Sequence, residues 1–264
     1  MRFARVTQFI WLFPTLFDAK FFDMKVGWHG GGRMKRAFFA VLTVLIGAVV
    51  VAGSVLLLSN AQAEPAVLVA KVVGTAQSPK GEVPHATVEL SIYPQRSASV
   101  PGPKHGPGVG IESTDWPFYW PSTTLELPAN SLITMTVLQY DGSTTVWNDY
   151  FAQVHGTVDG TAVYNGKVQH SIEADNVAHT FTLHQFAEST QPELFVSVPM
   201  LAVANNAKNE ANGYPKPQEI TFSFMTGDPG EYVWNCEDPC GNGYVDFGGV
   251  MSERGWMSGT VTVV

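Results

Sequence analysis

Apolar positions along the chain fall into two regimes. From Ala37 to Leu58 they run uninterrupted by charge, which is the length of a bilayer-spanning helix and exceeds the ~7–15 apolar residues of an ordinary secretory signal core. After residue 63 they come in short bursts alternating with polar positions, the period-two pattern of strands with one buried face. The pattern predicts strands at Val67 to Val73, Ala86 to Tyr93, Leu132 to Gln139, Ala178 to His184, Leu194 to Val198, Glu219 to Met225, Gly230 to Cys236 and Thr260 to Val264, with Pro199 closing the fifth. In the strand that ends at Cys236, Tyr232, Trp234 and Cys236 share a face. In the strand that starts at Ala178, His179, Phe181 and Leu183 face the core, and Thr180, Thr182 and His184 lie opposite, with His184 toward solvent.

Turn signals separate these bursts. Prolines and glycines crowd Val100 to Gly108, a turn is expected over Leu125 to Ser131, and Asn205 to Pro217 is a polar loop. Asp159-Gly160 and Asn165-Gly166 place at least one hairpin in residues 141–170. Trp116-Pro117-Phe118-Tyr119-Trp120-Pro121, the densest aromatic patch, is expected to be a hydrophobic flap over one end of the fold. No amphipathic helix of any length follows residue 63. Short strands with turns between them specify an all-β sandwich.

The ends and the charge refine this picture. Met34-Lys35-Arg36 precedes the apolar run and Ala61-Gln62-Ala63 follows it, so residues 34–63 read as a single-pass signal anchor through residues 37–58 or as a signal peptide cut after Ala63. The basic flank stays inside and puts the rest of the chain outside the cytoplasm, at the cell membrane or secreted. Residues 1–33 read as an extension upstream of a start at Met34, residues 64–122 as N-terminal strands with a Pro/Gly-rich connection, and residues 123–264 as the main domain. The first 63 residues hold 7 Lys+Arg against 2 Asp+Glu, and the remainder holds 8 against 21. An acidic domain argues against nucleic acid, which is held by displacing counterions with Lys and Arg. It is compatible with a basic redox partner.

Cys236 and Cys240 are the whole sulfhydryl inventory. In an exported domain such a pair is a local disulfide or a pair of thiolate metal ligands, and the spacing leaves both open. Gly230-Glu231-Tyr232-Val233-Trp234-Asn235-Cys236, followed by Gly255-Trp256-Met257-Ser258-Gly259-Thr260-Val261-Thr262-Val263, resembles the C-terminal copper loop of the cupredoxins, such as plastocyanin. The Cys236-to-Cys240 spacing also resembles the dinuclear copper site of cytochrome oxidase subunit II. Asp175 to Thr182 resembles the segment that supplies the first histidine ligand in both, and Leu125 to Asp141 resembles their "apolar, turn, apolar strand, Asp" segment.

The resemblance implies a cupredoxin-like Greek-key sandwich with His179 as first imidazole, Cys236 as thiolate and Met257 as weak axial ligand to copper. It also implies a second histidine between Cys236 and Met257, and no histidine follows His184. In the dinuclear pattern the corresponding positions are Tyr244 and Phe247. What remains is a soft set of His179, Cys236, Cys240 and Met257 or Met251. That set suits Cu(I), with Cys240 replacing the missing imidazole. The expectation is an electron carrier or copper-handling protein, served by a redox partner such as a cytochrome. The alternative is a metal-free interaction module closed by a Cys236–Cys240 disulfide. A redox-active dithiol is a third reading, without the strand-helix setting of thioredoxin.

Other constellations are weak. His155, His170 and His184 have no ligand spacing, Asp238 reads as a surface loop acid, no nucleophile elbow occurs, and Gly106 to Gly110 lacks a strand-to-helix setting for phosphate.

Overall fold

A computed structural model describes residues 32–61, 66–78, 81–103, 116–144, 146–187, 190, 192–238, 240 and 250–264. The readings made of residues 1–31, of Gln62 and Ala63, and of Tyr244 and Phe247 lie outside the described residues. The chain forms two compact units, Met1–Ser59 and Asn60–Val264.

The described part of the first unit is a helix, α1 (Gly32–Ala61), of which Lys35–Leu56 is long and apolar enough to cross a membrane. Its apolar side chains are exposed on all sides, including Phe38, Val44, Val49, Val51 and Leu56. A helix apolar all round satisfies its own backbone but has no polar face to turn to water.

The second unit is a sandwich of two sheets. One runs β1 (Val67–Val69), β5 (Thr124–Leu127), β13 (Ser258–Val263), β12 (Gly230–Asn235), β9 (Val177–Gln185), β10 (Val196–Leu201). The other runs β2 (Lys71–Ser78), β3 (Gly81–Tyr93), β6 (Leu132–Gln139), β11 (Gln218–Met225), β7 (Ala162–Tyr164), β8 (Lys167–Gln169), with β4 (Phe118–Trp120) paired to β3. The β1–β5, β5–β13 and β3–β6 pairs are parallel and the others antiparallel. The all-β sandwich preceded by an apolar helix therefore holds. Its core is built from the alternating positions of the sequence: Ile133, Met135 and Val137 of β6 pack with Ile220, Phe222 and Phe224 of β11, and with Phe181, Leu183 and Trp234 of the other sheet. Asn165-Gly166 turns the β7–β8 hairpin with φ of 48° and 81°, the left-handed pair that a two-residue hairpin turn requires.

Four local expectations are corrected. The single strand at Val67 to Val73 is two, because the chain switches sheets at Ala70, whose N–H donates to Glu126 O at 2.9 Å. The turn over Leu125 to Ser131 begins with β5, which lies between β1 and β13 and buries Leu125 and Leu127 completely. Pro199 does not close its strand: β10 continues to Leu201, because at the sheet edge a missing N–H removes no ladder bond. The aromatic flap is part of the core, with Trp116 against Trp256 and Tyr119 against Trp234, and with the Tyr119 hydroxyl donating to Thr180 O at 3.0 Å.

Candidate metal centre

Three elements meet at one end of the sandwich. β9 carries His179 near its start, Cys236 directly follows β12, and the turn after it returns Cys240. Alternation along β12 holds through its end: Tyr232, Trp234 and Cys236 are fully buried. The pairing of β12 with β13 fixes the height of Cys236, whose N–H donates to Met257 O at 2.9 Å. A close approach of backbones locks the same corner. Thr123 O accepts from Trp234 Nε1 at 2.9 Å and from Thr260 N at 3.1 Å, and a Cβ on Gly259 would sit 1.8 Å from it.

His179, Cys236 and Cys240 are each buried, and their ligating atoms all lie within 4.8 Å of one another. His179 Nδ1 is 3.2 Å from Cys240 Sγ and 3.9 Å from Cys236 Sγ, and the two sulfurs, both free thiols, are 3.0 Å apart. The other ring nitrogen, Nε2, donates to Asp141 Oδ2 at 2.9 Å. Backbone groups close the sulfur side: Thr180 N–H points at Cys236 Sγ at 3.4 Å, and Asp238 O accepts from Cys240 Sγ at 2.8 Å.

The electrostatics follow from this packing. Burial alone would lower the His179 pKa, but the Asp141 carboxylate and the Cys236 sulfur overcome it and raise the ring to about 10. Burial likewise works to raise Cys236 and is overcome by the Cys240 and His179 hydrogen bonds, which pull its thiol well below the usual range. Cys240 moves the opposite way, raised by burial and then by its neighbour Cys236. Asp141, for which burial is again unfavourable, is held below the usual range by its bond to His179.

Around an ion with bonds of ~2.0 Å to nitrogen and ~2.3 Å to sulfur, donor atoms stand about 3.5–3.7 Å apart for N···S and about 3.8–4.0 Å for S···S. The observed N···S separations of 3.2 and 3.9 Å bracket the first figure, and the sulfurs, 3.0 Å apart, need to part by about 0.8–1.0 Å to meet the second. The donors fit a soft cation in size and in chemistry.

Met257 is fully buried and in backbone register with Cys236, whereas Met251 is half-buried against the core. None of the remaining described histidines joins the cluster. His155 stacks on Tyr150 at 3.9 Å, His170 donates to Gly160 O, and His184, half-buried rather than fully turned to solvent, bridges Gln185 O and Asn235. The threonine face of β9 is closed as well, with Thr180 and Thr182 buried.

Two acids acquire roles that the sequence did not assign. Asp238, expected at the surface, is 2% exposed, and its carboxylate meets the Thr144 hydroxyl. Asp141, legible only as the acid ending the β6 segment, is the partner of His179.

No family model matches the chain, and no curated protein does. Among solved structures it is similar to auracyanin B, at 14% identity and a TM-score of 0.31 over 74% of this chain and 97% of that one. It is also similar to the copper protein rusticyanin, at 12% identity and a TM-score of 0.29 over 74% of this chain and 88% of that one. Likeness at that level says nothing of what this centre binds.

Proposed function

We propose that this is a cupredoxin-like copper protein, anchored by α1 with its sandwich outside the cytoplasm, that binds copper for electron transfer or copper handling. The observation that carries the reading is the convergence of His179 Nδ1 with the sulfurs of Cys236 and Cys240 in a fully buried cluster. Cys236 and Cys240 would hold the metal through sulfur and His179 through Nδ1, with Met257 as a weak fourth contact. Copper supplies one-electron chemistry when bound; the chain supplies soft donors in a buried corner whose packing limits rearrangement between oxidation states. Without a second imidazole, two thiolates and one nitrogen favour Cu(I). The acidic surface suits a basic redox partner such as a cytochrome.

A second reading has its own observation. Sulfurs 3.0 Å apart in a buried corner are placed to close a disulfide on oxidation, which would leave a metal-free interaction module with the same fold.

Titration of the reduced, oxygen-free chain with Cu(I) and Cu(II) separates the two. One equivalent taken up tightly and lost in Cys236→Ser, with an intense thiolate-to-Cu(II) absorption in the oxidised form, is the expected result. An absence of uptake, together with a Cys236–Cys240 disulfide in protein taken from its native membrane, would leave only the interaction module.

A further inference from the structure

Of the groups bonded directly to the donor triangle, Thr180 and Asp238 are buried, whereas the Asp141 side chain is 23% exposed. Asp141 stands just past the end of β6, where the chain leaves the sheet, and is held from two sides. Gln139, fully buried, accepts from Asp141 N on Oε1 at 2.6 Å and donates Nε2–H to Asp141 O at 2.9 Å, so one side chain grips both backbone polar groups of its neighbour. Gly142 N–H donates to Oδ1 of the Asp141 carboxylate at 2.7 Å, which leaves Oδ2 for His179 Nε2 at 2.9 Å. Each oxygen of the carboxylate is thereby assigned, and the imidazole cannot turn over without breaking the Nε2 contact.

An imidazole offers a metal one nitrogen at a time, and a fixed acceptor on one nitrogen commits the lone pair of the other. We infer that Asp141 is the positioning residue of this centre: it retains the proton on Nε2 and so presents the Nδ1 lone pair to the point between the two sulfurs. The inference rests on the metal-binding reading and adds what makes His179 a defined donor. Gln139 and Gly142 act on the metal only through Asp141.

The test uses the full chain in detergent, reduced and oxygen-free, with Cu(I) as the probe. Competition against a chromophoric Cu(I) chelator is measured for the unmodified, Asp141→Asn and Asp141→Glu chains, and nitrogen NMR is recorded on ¹⁵N-histidine-labelled, Cu(I)-loaded protein. Loss of such a carboxylate typically weakens metal binding by roughly 10–100-fold. That loss is expected for Asp141→Asn, with partial recovery in Asp141→Glu. In the unmodified chain, Nδ1 of His179 should carry the metal-induced shift while Nε2 keeps a slowly exchanging proton, which a purely structural aspartate would not dictate. Ligation through Nε2, or Cu(I) affinity indifferent to Asp141→Asn, overturns the inference, and the NMR on the unmodified chain decides it even where the variant does not fold. Failure of the unmodified chain to take up Cu(I) overturns the metal reading itself, whereas normal uptake that ignores Asp141 overturns only this step.

Discussion

A hydroxyl has one proton to give, and the Thr144 hydroxyl faces two acceptors: Ala178 O at 2.7 Å and the Asp238 carboxylate. Both contacts are satisfied only when the Asp238 carboxyl carries its own proton. Burial first, and the Cys236 sulfur after it, raise the Asp238 pKa to about 6 against the Thr144 bond and His179, which lower it. Because the folded value lies above the unfolded one, the stability this carboxyl contributes is complete below the ordinary aspartate pKa of ~3.9 and is lost as pH rises through about 6. Denaturant midpoints of the reduced, metal-free protein should therefore decline between pH 4 and 6, and Asp238→Asn, which has no such proton to lose, should flatten that decline. Asp141 acts with the opposite sign and in a lower window, since its contribution is lost as pH falls below the usual aspartate range. Alternation put His179 and Cys236 on core-facing positions and spacing paired Cys236 with Cys240, but as a donor set they were legible only through the resemblance to the copper-loop segments. Asp238 was not, because the hydroxyl that meets its carboxylate lies 94 positions away, and a loop acid carries no local mark of being covered.

Elements were legible wherever apolar and polar side chains alternate, whether the polar face is half-exposed, as along β6, or closed, as along the threonines of β9. β6 matches its predicted bounds, and β9, β11, β12 and β13 differ by a residue or two at their ends. Alternation fails where a strand is short or changes sheets. β1 is three residues long and β5 four, and each is recognisable only by its neighbour across the sheet. Gly259 shows what holds this corner together. Any side chain there drives into Thr123 O, the carbonyl that Trp234 and Thr260 share. Gly259→Ala should cost roughly 3 kcal/mol, as backbone overpacking does, and should separate β13 from β5. A lower denaturant midpoint together with reduced tryptophan near-ultraviolet circular dichroism, reporting Trp234, would record it. An alanine variant with wild-type stability would mean that the strands have room to part.

On the scale of the whole molecule, the acid-rich part of the chain and the apolar helix fall in different compact units. Among the described residues, hydrophobic clustering in Asn60–Val264 runs through both sheets. Removal of residues 1–59 should therefore leave a soluble fragment with strand-type far-ultraviolet circular dichroism and a single cooperative unfolding transition. Aggregation of that fragment, or a non-cooperative melt, would show that the sandwich depends on the segment before it. The sequence carries its charge asymmetry and its long apolar run in the same N-terminal stretch. It did not disclose how the chain is shared between the two sheets, because sheet membership is set by contacts distant along the chain.

The complete burial of both thiols and the imidazole also has a kinetic side. No solute reaches these atoms while the corner is shut, so the frequency with which the corner opens is a ceiling on the rate at which anything exchanges with the centre, however strong or weak the binding. Electrons are not subject to that ceiling, since they tunnel through closed walls. In the proposed copper protein, such an enclosure would separate the two traffics in time, slow for ions and fast for charge.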